Sequence, residues 1–242
     1  MLRSMKELQG YVIEATEGTI GTVDTFLFDD TTWIIRYLVV DLGRWLPGRR
    51  VLLVPATLEE PSWDTSSFPV NLTKSQVETS PDIDTDQPVS RQQETVLHTH
   101  YGWQAYWDQV ITSAPIPSPL PAMDVTDLPG KGNPHLRSTR EVIGYSIGAC
   151  DGEVGHVEDF IMDDAAWVVR YMVVDTRNWL PGREVLVAPQ WITTVAWDTS
   201  QVSVDLSCEQ VQGSPTYDPK TPVNRDYEGR LYDYYGRPAY WG

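Results

Sequence analysis

His98 and His100, two positions apart, form the closest imidazole pair in the chain and invite a metal reading, since imidazole nitrogen is a common Zn2+ ligand. Asp29-Asp30 and Asp163-Asp164 offer adjacent carboxylates, the oxygen donors that hard divalent cations take. Asp82-x-Asp84-x-Asp86 has the spacing that opens a calcium loop, but the required Gly and the closing Glu are absent. Arg36 and Arg170 stand inside apolar runs, where a guanidinium either grips a phosphate or lays its stem along a surface and bonds a carboxylate. Cys150 and Cys208 are the two thiols.

An internal duplication bears on each candidate. Residues 1–108 recur without a gap as residues 135–242: Trp33 returns as Trp167, Arg36 as Arg170, Asp41 as Asp175. Trp45-Leu46-Pro47-Gly48-Arg49 returns as Trp179-Leu180-Pro181-Gly182-Arg183. Each copy is thus a control on the other. His98 and His100 become Tyr232 and Tyr234, and on a helix residues two apart point away from each other. Asp82-x-Asp84-x-Asp86 becomes Thr216-x-Asp218-x-Lys220, a loss of charge that makes it a solvated loop. Cys150 and Cys208 face Thr16 and Lys74, and His156 replaces Thr22. No nucleophile-plus-base arrangement can be assembled from shared residues. The reading is therefore no catalytic residue, no cofactor and no metal. The paired Asp residues read as turn formers, through their local backbone hydrogen bonds.

The 242 residues carry a net charge of −16, spread over both copies. Such a surface repels phosphate backbones and anionic membrane leaflets, which argues against direct nucleic-acid binding. No apolar run approaches the ~20 residues that cross a bilayer. Met1-Leu2-Arg3-Ser4 leads into domain-like sequence with no apolar signal core, so the expectation is a cytoplasmic protein. Two unmatched thiols fit that compartment.

The elements follow from local pattern. Ser4-x-x-Glu7 and Ser138-x-x-Glu141 match the capping box of a short helix. Glu17-Gly18 and Asp151-Gly152 predict tight hairpins. Ile20 to Phe28, Trp33 to Asp41, Val51 to Val54 and Phe68 to Leu72 predict strands, rich in β-branched and aromatic residues. Alternation along the second of these puts Arg36 with Ile34 and Leu38, and Trp33, Tyr37 and Asp41 on the opposite face. Short helices follow, over Leu72 to Val77 and Pro88 to Tyr101, and each copy ends in an aromatic tail containing Tyr106-Trp107 or Tyr240-Trp241. Residues 109–134 read as a Pro-rich linker between copy one (1–108) and copy two (135–242). The predicted fold class is mainly β: two tandem small, strongly bent antiparallel barrels, each with short C-terminal helices and a tail.

The chain resembles the PRC-barrel family, the β-module shared by the cytoplasmic domain of the photosynthetic reaction-centre H subunit and the C-terminal domain of the ribosome-maturation factor RimM. The likeness rests on the hairpin with Gly18, Gly21 and Val23, and on Arg36-Tyr37-Leu38-Val39-Val40-Asp41. The Trp45-to-Arg49 turn and the strand from Val51 to Pro55 complete it, and copy two repeats the pattern from Gly152 and Gly155 to Pro189. The resemblance implies docking and assembly without a common catalytic apparatus. Gly18, Gly21, Trp33, Arg36 and Asp41, with Gly152, Gly155, Trp167, Arg170 and Asp175, are read as structural. The H subunit carries an N-terminal membrane helix before its barrel, and no such helix is read here.

The leading expectation is a non-enzymatic interaction protein that docks to a protein partner or to itself, with pseudo-twofold packing in which the tail of one copy covers the other. The candidate contact residues are Trp45, Leu46, Arg49, Tyr106 and Trp107, with Trp179, Leu180, Arg183, Tyr240 and Trp241. The same Trp-Leu-Pro-Gly-Arg segment can instead be a turn whose Trp plugs the barrel end. One alternative is an enzyme or small-ligand protein with its site between the copies, where single-copy groups such as His98, His100, His156 and Cys150 meet. Another is an accessory role at photosynthetic or ribosomal assemblies, by protein contact.

Overall fold

The computed structural model describes residues 1–43, 46–81, 89, 91–108, 136–176 and 183–241. Copy one runs β1 (Leu2–Ser4), α1 (Met5–Leu8), β2 (Val12–Ala15), β3 (Gly18–Asp29), β4 (Ile35–Asp41), β5 (Arg50–Leu53), β6 (Ser67–Pro69), α2 (Lys74–Glu78) and α3 (Arg91–Tyr101). Copy two runs β7 (Leu136–Ser138), α4 (Thr139–Val142), β8 (Ser146–Ala149), β9 (Gly152–Asp163), β10 (Val168–Asp175), β11 (Glu184–Val187), β12 (Ile192–Ala196), β13 (Gln201–Val204), α5 (Cys208–Gly213), β14 (Thr216–Tyr217) and α6 (Arg225–Tyr235). The chain is mainly β.

Two sheets result, ordered β5-β4-β3-β2-β6 and β12-β13-β8-β9-β10-β11-β14. Among the described residues neither closes into a barrel. Nor is either purely antiparallel: β2 pairs with β6, and β8 with β13, in parallel. Alternation in a sequence marks a strand but not its neighbour's direction. A long connection brings β6 and β13 back in the same sense as β2 and β8.

The first three-residue strand of each copy belongs to the other copy's sheet. β1 lies on β9 with Arg3 opposite Met162, and β7 lies on β3 with Arg137 opposite Phe28. Trp33 and Trp167 sit in the left-handed region at φ 59° and 51°, where the turn delivers their carbonyls across the seam. Trp167 O accepts from Ile35 N at 2.8 Å, and Trp33 O from Val169 N at 2.9 Å. A reciprocal contact of this kind is the isologous geometry of a twofold dimer, here within one chain. One hydrophobic cluster runs through both copies, with Phe28 and Phe160 ring centroids 5.9 Å apart at the seam. The repeats of the sequence therefore make two sheets that share one large core, beside which copy one has a smaller cluster around Tyr37, Leu52 and Leu97.

Trp33 and Trp167 were expected within or beside strands as core rings. Both are half-buried, because the left-handed turn precedes the strand and tips each ring into the seam. Trp33 stacks on Phe28 at 5.0 Å. A Cβ added to Gly21 would lie 2.2 Å from Asp41 O, and one on Gly155 would lie 2.0 Å from Asp175 O. Backbone pressed on backbone explains these two glycines better than turn conformation alone. No helix among the described residues is long and apolar enough to cross a membrane.

Candidate functional site: paired clefts at the seam

A buried carboxylate holds each aromatic tail. Glu94 on α3 and Glu228 on α6 are 0% and 2% exposed. Tyr37 and Tyr106 both donate their hydroxyls to Glu94 Oε1 at 2.8 Å. Tyr171 and Tyr240 repeat this on Glu228 Oε1, also at 2.8 Å. Arg225 Nη1 lies 3.1 Å from Glu228 Oε2. Charge-assisted bonds of this type are about twice as strong as neutral ones, so each helix is tied both to its sheet and to the tail that follows it. Burial pushes the Tyr171 phenol far up, reinforced by Tyr232 and the Glu228 carboxylate, and pushes Tyr240 to about 12. Both remain neutral donors. The tail thus covers its own copy, and the expectation that it crosses to the other is corrected.

A bulge aims the arginine. Between Phe28–Ile35 and Leu27–Tyr37 the register of β3 and β4 slips by one, and Arg36 is the extra residue; Arg170 is its equivalent in β10. Strand alternation set Arg36 opposite Tyr37. The bulge corrects this, because an inserted residue re-aims its side chain. Arg36 Cζ lies 4.0 Å over the Tyr106 ring and Arg170 Cζ 4.1 Å over Tyr240. Their Nη2 atoms reach Asp29 at 3.5 Å and Asp163 at 3.4 Å. Each guanidinium is sandwiched between tail and turn, with a cation–π contact on one side.

Above these anchors two related clefts open along the seam. One, of about 590 Å³, is lined by Arg170, Pro189, Thr193 and Tyr240 of copy two and by Trp33 of copy one. Its counterpart, of about 670 Å³, is lined by Arg36, Pro55, Trp103 and Tyr106 of copy one and by Trp167 of copy two. Each cleft therefore needs both copies. The floors match, with buried His98 of the second cleft standing where the first has Tyr232, while the rims differ: Asp30, Thr31 and Thr32 edge the first, and Gln104 the second.

Reciprocal clasps hold the copies in place. Arg3 pairs with Asp164 at 3.1 Å and Arg137 with Asp30 at 3.6 Å. Each also stacks on a tryptophan, Arg3 on Trp63 at 3.4 Å and Arg137 on Trp197 at 4.1 Å. Lys6 reaches Glu158 at 2.6 Å, and Arg140 repeats the bond to Asp24. Beside them, Asp159 accepts from Ser4 Oγ and Lys6 N, and burial pushes its carboxyl up to about 6. The same place in copy one holds Thr25, bonded to Thr139 at 3.1 Å.

The remaining sequence candidates fall out as follows. Trp45, Trp179 and Leu180 lie outside the described residues, as do Asp82, Asp84, Asp86 and residues 109–135. Leu46 packs half-buried against the core. Arg49 donates to Glu78 O at 2.6 Å and to Ser80 O, and Arg183 donates to Ser214 O, so both secure the chain just beyond a short helix. Trp107 lies 4.9 Å from His98, while Trp241 is partly exposed under Arg225. Asp29 Oδ1 accepts from Thr31 N and Thr32 N at 3.0 and 2.9 Å, as a turn residue does. Asp41 accepts from Gly43 N at 2.8 Å. His98 turns inward to Tyr37 at 2.9 Å and His100 outward to Gln76 O at 2.8 Å, so the two imidazoles diverge. Cys150 is exposed and Cys208 buried, both free thiols.

Glu94 and Glu228 escaped the sequence reading. Their signal was their equivalence across the repeat, in helices that otherwise read as surface-polar. No protein-family model matches the chain, and no curated protein matches it.

Proposed function

We propose that the chain is a non-enzymatic interaction protein of two PRC-barrel-like modules, acting in the cytoplasm by contact with a protein partner through the seam clefts. The observation that carries this reading is how the shared residues are used. Arg36, Glu94, Tyr106 and Asp29, with their copy-two equivalents Arg170, Glu228, Tyr240 and Asp163, are bonded to one another as scaffold. What the copies offer outward in common is a pair of aromatic-walled clefts. Two related sites on one rigid body suit a partner that presents two similar elements, since the second contact then forms at raised effective concentration.

A second reading has its own support: both cleft volumes fall within the ~300–1,000 Å³ typical of small-molecule sites. The test blocks both mouths at exposed positions, with Ala56→Arg and Thr193→Arg in one chain. Crosslinking pull-down from native cells should yield a protein captured by wild type and lost in the double variant. Unchanged capture by a folded double variant would refute the cleft as docking site. A small molecule retained in native mass spectra of the wild type, released on denaturation and absent from the double variant, would favour the second reading.

A further inference from the structure

The copies differ in charge where three neighbouring strands of each sheet lie side by side. On β3, β4 and β5, Thr22, Asp41 and Arg50 stand side by side in register, and Arg50 Nε lies 3.3 Å from the bulged Asp24. The equivalents on β9, β10 and β11 are His156, Asp175 and Glu184, with Glu158 at the bulge. An arginine has become a glutamate and a threonine a histidine. The strand framework is unchanged, so the cation that copy one builds in here is replaced by two further potential donors.

His156 Nε2 lies 3.6 Å from Asp175 Oδ2 and 3.8 Å from Glu158 Oε2, and all three ligand atoms fall within 4.8 Å of one another. Bonds of about 2.0–2.2 Å to a tetrahedral ion require donor separations of roughly 3.3–3.6 Å. The histidine-to-carboxylate gaps exceed that by only a few tenths of an ångström. Lys6 occupies the other oxygen of Glu158, Oε1, at 2.6 Å, and leaves Oε2 turned towards the imidazole. Asp175 is 1% exposed and fixed by the sheet, while His156 and Glu158, at 35% and 26%, open the cluster to solvent. One buried carboxylate, one bulge-aimed carboxylate and one imidazole held by paired strands form a three-ligand set.

We propose that His156, Glu158 and Asp175 bind one divalent transition-metal ion of the Zn2+ or Co2+ class, in copy two alone. One imidazole with two carboxylates suits such borderline ions better than Mg2+ or Ca2+, which favour all-oxygen sets. The site is separate from the seam clefts and independent of the contact reading above.

The test titrates chelator-treated full-length protein with Zn2+ in a calorimeter, and with Co2+ in a spectrophotometer. Two variants copy residues from copy one and so keep a tolerated sheet: His156→Thr and Glu184→Arg. Wild type should bind one equivalent of Zn2+, with no thiolate-to-Co2+ charge-transfer band. His156→Thr should weaken binding at least about 100-fold, because even outer-shell partners of a metal site are worth 10–100-fold. Glu184→Arg should weaken it by placing a guanidinium where copy one has Arg50. Thermal unfolding without metal should be close to wild type in both. Absence of one-equivalent binding by wild type, undiminished binding by a folded His156→Thr, or a thiolate band from Cys150 or Cys208 would each overturn the proposal. The first result would leave His156 a neighbour of Asp175 at 3.6 Å and nothing more.

Discussion

Replacing Tyr171 with Phe removes one hydroxyl from the anchor of the second tail and leaves the ring in place. That hydroxyl is buried and donates to the Glu228 carboxylate at 2.8 Å. A hydrogen bond to a charged group contributes about 1.5–3 kcal/mol net, so Tyr171→Phe should lose about 2 kcal/mol. The carboxylate keeps Tyr240 and Arg225 as partners, which holds the loss below the cost of an abandoned buried charge. Glu228→Gln keeps the shape and an acceptor but removes the charge. If the carboxylate is what the phenol binds, the double variant should lose about 1 kcal/mol or more less than the sum of the singles. Urea unfolding of the four proteins gives these values from midpoints at constant slope. Tyr37→Phe, against Glu94, repeats the experiment in the other copy. A loss below about 0.5 kcal/mol, or additivity within the ~0.3–0.5 kcal/mol expected of independent sites, would refute the anchor.

Gly21→Ala and Gly155→Ala should each lower unfolding free energy by about 3 kcal/mol, near the upper end of overpacking costs, since the new methyl meets backbone and not a movable side chain; a loss below about 1 kcal/mol by denaturant titration would contradict the close approach. Burial raises the phenols of Tyr171, Tyr217 and Tyr227, and takes Tyr235 and Tyr240 to about 12. Their contribution is full below the unfolded value of about 10 and is lost as pH climbs towards 12. Absorbance at 295 nm should therefore show fewer ionised phenols at pH 11 in the native protein than in urea, and coincident curves would sink the claim. Arg137→Ala removes both the ion pair to Asp30 and the stack on Trp197, and should cost about 1 kcal/mol; no change in the urea midpoint would mean that this clasp contributes nothing.

Much of the fold was legible because its signals are local. β3, β4 and β5 fall close to the runs of β-branched and aromatic residues that predicted them, and Ser4 and Ser138 accept helix-start amides from Glu7 and Arg140, the serine half of the expected capping box, while complete boxes stand at Thr73–Gln76 and Ser207–Gln210. The exchange of β1 and β7 was not legible. Three residues pair equally well with either sheet, and the repeat makes the two sheets chemically alike. The bulge at Arg36 was hidden for a related reason: alternation presumes an unbroken ladder, and a slipped register inverts the face assignment. Of the site, the sequence singled out Trp33, Arg36, Tyr106 and their equivalents but passed over Glu94 and Glu228. A buried carboxylate looks like any helix-surface glutamate until its partners, 57 residues away in chain for Tyr37 and Tyr171, are brought to it.

The claim on which the clefts depend is that the two copies clasp each other as one body. A protease site inserted after Ser118, cut in the native protein, tests it directly by light scattering of the product. The two fragments should stay together at the mass of the uncut chain, held by the exchanged strands and the shared core. Separation into two half-mass species that each remain folded would contradict the account.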